Sequence, residues 1–186
     1  MSLPPWRPLL KAAQQRDGRS PSVRWLQLAT IATDGTPRVR TLVFRGWHTD
    51  AALLLFSDAR SDKIEDLRHQ PAAEVCWLFA KAKQQFRLRG VIRQLTSEQD
   101  PAFTTHCWRT MRDSGRALWS WPQPGAALDL DADFPSQVPE HAEPPSHFWV
   151  LSLQVAEVEL LDLTQHPHRR SRWCLADRWL EHRLNP

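Results

Sequence analysis

Between residues 38 and 63 the chain sets three features in succession, and a fold must bring them side by side. Val39 to Arg45 alternates cationic or hydroxyl residues with Val, Leu and Phe, a β-branched and aromatic run that strands prefer. Ala51 to Phe56 is apolar without alternation, which predicts a strand buried on both faces. Ser57, Asp58, Arg60, Ser61 and Lys63 then precede the amphipathic pair Ile64 and Leu67, so a helix starts among hydroxyls and cations. Free backbone N–H groups and the helix dipole converge at such a start and favour an anion. Two readings fit the spacing: a bound phosphate gathered by these residues and the strand arginines, or a solvated basic edge followed by an ordinary capped helix.

The rest of the chain reads as antiparallel β structure. Trp6, Leu9, Leu10 and Ala13 share one face of a short N-terminal helix, within an arm over residues 1–20. Strands are expected at 24–33, 36–47 and 51–57 as an opening meander, with Asp34-Gly35 as the first hairpin turn. A helix over 61–69 stops before Pro71. Strands follow at 74–79 and 84–95, with Gly90 marking a bend where a barrel closes. Ser97 and Asp100 resemble a capping box for a helix running to Met111. Residues 120–147 are proline-rich and aperiodic, a long loop of the kind that is functional or disordered. Strands at 148–155 and 157–163 precede a C-terminal hairpin within 164–186, its arms at 172–175 and 179–182. Strands joined by hairpin turns, with short helices between them, imply a single-domain antiparallel barrel over residues 1–186.

Composition removes several function classes. With 24 basic and 21 acidic residues the imbalance is too small for a nucleic-acid surface. No segment approaches the ~18 apolar residues that span a bilayer. The first residues, MSLPPWRPLL, lack the apolar core of a signal peptide. Three cysteines without a C-x-x-C pair argue against a metal knuckle or disulfide framework and fit a reducing cytoplasm. Eight scattered histidines leave haem ligation as an open but unsupported alternative.

In order and spacing, these parts resemble the pyridoxamine 5′-phosphate oxidase-related FMN-binding family. The resemblance covers residues 24–186 and rests on Arg40 and Arg45 five apart, Phe56-Ser57, Ser61-x-Lys63 and Gln85. It continues through Ser114, Trp119, Gln123, Phe148-Trp149, Arg172-Trp173 and the terminal Arg183-Leu184-Asn185-Pro186. It implies a mainly β, six-stranded antiparallel FMN-binding split barrel with short flanking helices, a homodimer, and FMN in a groove between subunits. Carried over by position, Arg40, Ser57, Ser61 and Lys63 surround the FMN phosphate. Thr41, Leu42 and Val43 lie along the isoalloxazine, Phe56 belongs to the same site, and Gln85 bonds the flavin edge. Gln123 and Arg172 of the second subunit complete the groove. Arg45, His168 and Arg170 are the candidate catalytic residues, and no metal ligand is expected.

The chain departs from the pattern at the substrate end. Where the oxidases hold the substrate phosphate with a tyrosine, an arginine and a serine, this chain has His106, Thr110 and Ser114. His168 and Arg170 stand in exchanged order, Asp62 replaces an arginine, and Leu161 stands where the family stacks a tryptophan. Threonine cannot replace a bidentate guanidinium. The expectation is therefore an FMN-dependent oxidoreductase of a small molecule other than pyridoxamine phosphate. Its alternatives are a flavin-binding or redox-sensing module without turnover, and a true oxidase with a rebuilt clamp.

Overall fold

The computed structural model describes residues 3–139 and 141–186; residues 1–2 of the expected arm and Glu140 of the expected loop lie outside the described residues. Among the described residues nine antiparallel strands form one sheet: β1 (Trp25–Ile31), β2 (Pro37–Val43), β3 (Gly46–Thr49), β4 (Ala52–Asp58), β5 (Ala72–Phe79), β6 (Gln84–Leu95), β7 (Phe148–Asp162), β8 (Arg169–Cys174) and β9 (Glu181–Leu184). The order along the sheet is β2-β1-β5-β6-β7-β4-β3, and β8 pairs with β7 and carries β9. Among the described residues four α-helices flank it: α1 (Trp6–Asp17), α2 (Asp62–His69), α3 (Pro101–Arg109) and the single turn α4 (Asp113–Arg116).

The sheet curls into a split barrel, and two residues show how. Phe44 N donates to Arg24 O on the β1 side at 2.8 Å, while Arg45 N donates to Leu54 O of β4 at 2.9 Å. The chain thus passes from one end of the sheet to the other in a single step, so both ends meet at a seam. Gly46, at φ 135°, supplies the backbone conformation that ends the expected 36–47 strand there. The opening meander is corrected accordingly. β1 pairs with β2, but β3 and β4 join the opposite end of the sheet, where β4 pairs with β7.

Three further differences have local causes. The two strands expected over 148–163 are one strand, bulged at Ala156 where the β6 register shifts between Arg89 and Gly90. A Cβ on Gly90 would stand 1.9 Å from Gln154 O, so glycine allows the close approach there. α3 begins at Pro101 because Asp100, not Ser97, is the cap, accepting from Phe103 N at 3.0 Å. The last hairpin is wider than expected, since Leu175–Asp177 form a 3-10 turn and Arg178 and Trp179 have positive φ.

The core fills the barrel with alternate residues of each strand, among them Leu26, Leu28, Leu53, Leu55, Trp77 and Phe86, and α1 plugs one end with Trp6, Leu10 and Ala13. On the other face of β4 and β7, Leu54, Phe56, Phe148 and Val150 pack under Cys107, Trp108, Met111 and Trp119. β4 is therefore buried on both faces, as its unbroken apolar run predicts. Cys107 is buried in that layer, whereas Cys76 and Cys174 are only half-buried.

Candidate functional site

The turn from β4 into α2 builds a cationic cradle. Ser61 is the residue before the helix, yet its side chain does not cap it. Its hydroxyl donates to Asp58 O at 2.6 Å and accepts from Lys63 Nζ at 2.7 Å. Lys63 also donates to Ser57 Oγ at 3.3 Å, and the two serine oxygens stand 3.4 Å apart. Asp58 is paired with Arg60, whose Nη2 meets its carboxylate at 2.6 Å. Burial of Asp58 opposes ionisation, but the hydrogen bonds from Arg60 outweigh it and keep its carboxyl below the usual range. Burial lowers the Lys63 pKa, and the nearby Arg40 charge lowers it further. Arg40 reaches this spot from β2 and bonds Thr30 and Asp66.

Thr41, Leu42 and Val43 close β2 at one end of the sheet, and Phe56 and Ser57 lie near the end of β4, next to the strand at the other end. The Arg45 guanidinium lies 5.2 Å from the Phe56 ring centroid. Burial lowers its pKa, with the neighbouring Arg24 charge adding to that effect.

A second group forms on the outward face of the sheet. Gln85, Arg87, Glu159, Leu161, Arg170 and Pro186 line a cavity of about 200 Å³. Cross-strand register explains the grouping, since Gln85 faces Leu161, Arg87 faces Glu159, and Leu161 faces Arg170. Glu159 accepts from Arg170 Nε at 2.9 Å, Arg170 Nη2 at 2.7 Å and Arg87 Nη2 at 2.5 Å. Burial opposes its ionisation, but the hydrogen bonds and charges of Arg170 and Arg87 hold its carboxyl below the usual range.

The sequence-predicted residues thus fall into separate places. Ser57, Ser61 and Lys63 are in mutual contact with Arg40 beside them, and Arg45 sits on Phe56. Gln85 and Arg170 share the cavity. His168 stays outside that cavity, exposed, with Nδ1 2.9 Å from Gln165 O. Gln123 lies exposed on the loop after α4, and Arg172 stands on β8 with its Nε buried and without a partner. Among the described residues, no hydrogen bond or ion pair joins Gln123 or Arg172 to the cradle. Four residues were not singled out from sequence: Thr30, Asp66, Arg87 and Glu159. Asp66 left one signal, a carboxylate next to Leu67 on the apolar stripe of α2. Among the described residues no cluster of histidine, cysteine and carboxylates could hold a metal ion, and no helix is long and apolar enough to cross a membrane.

The donor set suits a phosphate monoester: an ammonium, two hydroxyls, a guanidinium and a helix start with no side-chain cap. The family described as pyridoxamine 5′-phosphate oxidase, FMN-binding domain, matches residues 3–96. Pyridoxine/pyridoxamine 5′-phosphate oxidase 2 of Arabidopsis thaliana is 30% identical over 166 residues, covering 86% of this chain and 83% of its own. The pyridoxine/pyridoxamine 5′-phosphate oxidase of Salinibacter ruber is 27% identical over 173 residues, 87% of this chain and 79% of its own. A solved pyridoxamine 5′-phosphate oxidase-related, FMN-binding protein of Nostoc punctiforme superposes with a TM-score of 0.92 at 32% identity over the whole of both chains. PhzG of Burkholderia lata, solved with tetrahydrophenazine-1-carboxylic acid, shares the fold at a TM-score of 0.79 and 19% identity, over 97% of this chain and 90% of its own.

Proposed function

The chain belongs to the pyridoxamine 5′-phosphate oxidase FMN-binding family, and from that premise we propose that it is an FMN-dependent oxidoreductase acting on a small molecule other than pyridoxamine phosphate. The cradle at the start of α2 carries the reading, because Lys63 donates to the hydroxyls of Ser57 and Ser61 there while Arg40 stands alongside. Lys63, Ser57, Ser61 and Arg40 hold the phosphate. The backbone of Thr41, Leu42 and Val43 lies along the ring system, Phe56 packs beside it, and Gln85 bonds its edge. FMN, when bound, supplies the two-electron chemistry. Arg45 places positive charge by the ring, and Arg170 orients the substrate from the cavity, with His168 brought in from its exposed position.

Two observations support a homodimer with a shared groove. Trp25, Ile31, Val39, Leu78 and Val91 are exposed on the uncovered sheet, and Gln123 and Arg172 meet no cradle residue of their own chain. A second copy laid on that sheet buries the first set and delivers the second. Sedimentation at micromolar concentration tests this; a monomer contradicts it.

The substrate half supports the exclusion of pyridoxamine phosphate. Thr110 donates its hydroxyl to its own helix, to Cys107 O at 2.6 Å. Arg170 spends its Nε and Nη2 edge on Glu159, which also accepts from Arg87. The Arg170 edge suited to a phosphate is therefore already taken. The test has two parts: mass identification of the flavin released from the purified protein, then a peroxide assay with pyridoxamine phosphate. FMN without peroxide supports the reading. Efficient peroxide formation makes the chain an oxidase like its named relatives, with a rebuilt clamp. FMN that no nicotinamide donor or substrate reduces makes it a flavin-binding module.

A further inference from the structure

Arg40 is gripped along one edge by the protein itself. Its Nη1 donates to Thr30 Oγ1 at 2.6 Å and to Leu28 O at 3.4 Å, and its Nη2 donates to Asp66 Oδ2 at 3.2 Å. Thr30 Oγ1 in turn donates to the same Asp66 Oδ2 at 2.8 Å. That bond commits the only hydroxyl proton of Thr30 and turns a lone pair towards Arg40. Thr30 is 2% exposed and Asp66 6%, so packing fixes both. A guanidinium carries five N–H donors in a planar fork. Three are committed here. The Nε–H and the second Nη2–H remain, and among the described residues neither meets an acceptor. These two lie parallel along the side edge, the arrangement that binds two oxygens of one phosphate.

We infer that Thr30 and Asp66 are positioning residues that hold the end edge of Arg40 and present its side edge to the flavin phosphate, so that they set the preference for a phosphorylated over an unphosphorylated flavin. The inference rests on the flavin reading above. Its physical basis is pre-organisation: a long side chain that is already ordered loses less freedom when the anion binds. Asp66 makes the sign of the effect informative. It is an anion close to a dianion, so on charge alone its neutralisation tightens FMN binding. If it acts by holding Arg40, its neutralisation weakens FMN binding instead.

The experiment titrates the full-length apoprotein with FMN and with riboflavin, following flavin fluorescence, for wild type, Asp66→Asn, Thr30→Val and Thr30→Ser. Asp66→Asn and Thr30→Val are each expected to lower the FMN-to-riboflavin selectivity by about fivefold, the scale of one lost hydrogen bond. Riboflavin affinity stays within about twofold, because the ring site is untouched. Thr30→Ser keeps the hydroxyl and restores wild-type selectivity, which a packing role alone would not predict. Should Asp66→Asn fail to fold, the two Thr30 variants decide the matter. Tighter FMN binding by Asp66→Asn, or unchanged selectivity in both disruptive variants, overturns the inference while the flavin reading stands. A wild type with no preference for FMN overturns both.

Discussion

Arg40 and Arg170 are the same side chain put to opposite uses. Arg40 is held at its end edge by Thr30 and Asp66, and its Nε–H faces no protein acceptor among the described residues. Arg170 directs both Nε and Nη2 at one oxygen of Glu159. The cradle beside Arg40 repeats the contrast, since Lys63 meets two serine hydroxyls, whereas Arg87 also ends on Glu159. A cation left with hydroxyls or an open edge suits an anionic ligand, because binding adds charge pairing without breaking one. Arg40 keeps its Asp66 pair on one edge and leaves the other open, whereas Arg170 has its Nε and Nη2 edge closed by Glu159 and must lose that pair before it can clamp a phosphate. On the proposed function, the cradle takes the phosphate and the Glu159 group does not.

The contrast is broken most directly at the substrate end. With the Arg170 edge occupied and His106 and Thr110 in place of a tyrosine and an arginine, pyridoxamine phosphate should be turned over roughly three orders of magnitude less efficiently than a good substrate, equivalent to several kcal/mol of transition-state binding. A coupled peroxide assay measures this, and micromolar KM values with rapid turnover would break the comparison.

At the cradle, Arg40→Ala and Lys63→Ala are each expected to weaken FMN binding by about 1.5–3 kcal/mol, the range for hydrogen bonds to a charged group. Riboflavin, without the phosphate, should bind both variants as it binds wild type. Equal losses for the two ligands would mean that the side chains support the fold rather than the phosphate.

Glu159→Gln sharpens the comparison from the other side. It leaves Arg170 and Arg87 without their shared carboxylate and should cost about 1–3 kcal/mol of stability by denaturant melts, with FMN affinity unchanged. The pH dependence has a defined sign. Because the folded carboxyl sits below its usual value of 4.5, its contribution is full above that value and lost as pH falls through the folded one. The variant should therefore lose less stability on acidification than wild type.

The smallest effect concerns alkaline pH. Lys63 ionises below the usual 10.5 because burial and Arg40 disfavour its charge. A bound dianion favours that charge, so FMN affinity should fall as pH rises through the lysine's lowered pKa. Lys63→Arg, which stays protonated, should hold its affinity further into the alkaline range. Parallel pH profiles for the two proteins would remove Lys63 from the phosphate site.

Much of the barrel was legible because it is written locally. The alternation at Phe86, Leu88 and Ile92, the apolar run at 52–56 and the Asp34-Gly35 turn each act within a few residues. Ser57, Ser61 and Lys63 were legible for the same reason, lying on one turn. The break at Phe44–Arg45 was hidden because the strand-like pattern continues through it, and only the sheet's closure separates the two halves. The single long β7 was hidden by Ala156, which reads as a strand end and is a bulge. Thr30 and Asp66 lie 36 residues apart, and Arg40 lies 26 from Asp66, so their contact depends on how the barrel seats α2. Glu159 and Arg87 meet across β6 and β7 only once the register is known.

The measurement closest to the centre of this account is a paired fluorescence titration of the wild-type apoprotein with FMN and with riboflavin. The cradle predicts saturable one-to-one binding of FMN, at least about tenfold tighter than riboflavin, since one charge-assisted contact alone is worth that factor. Equal affinities, or no saturable binding of FMN, would contradict a phosphate site built from Lys63, Ser57, Ser61 and Arg40.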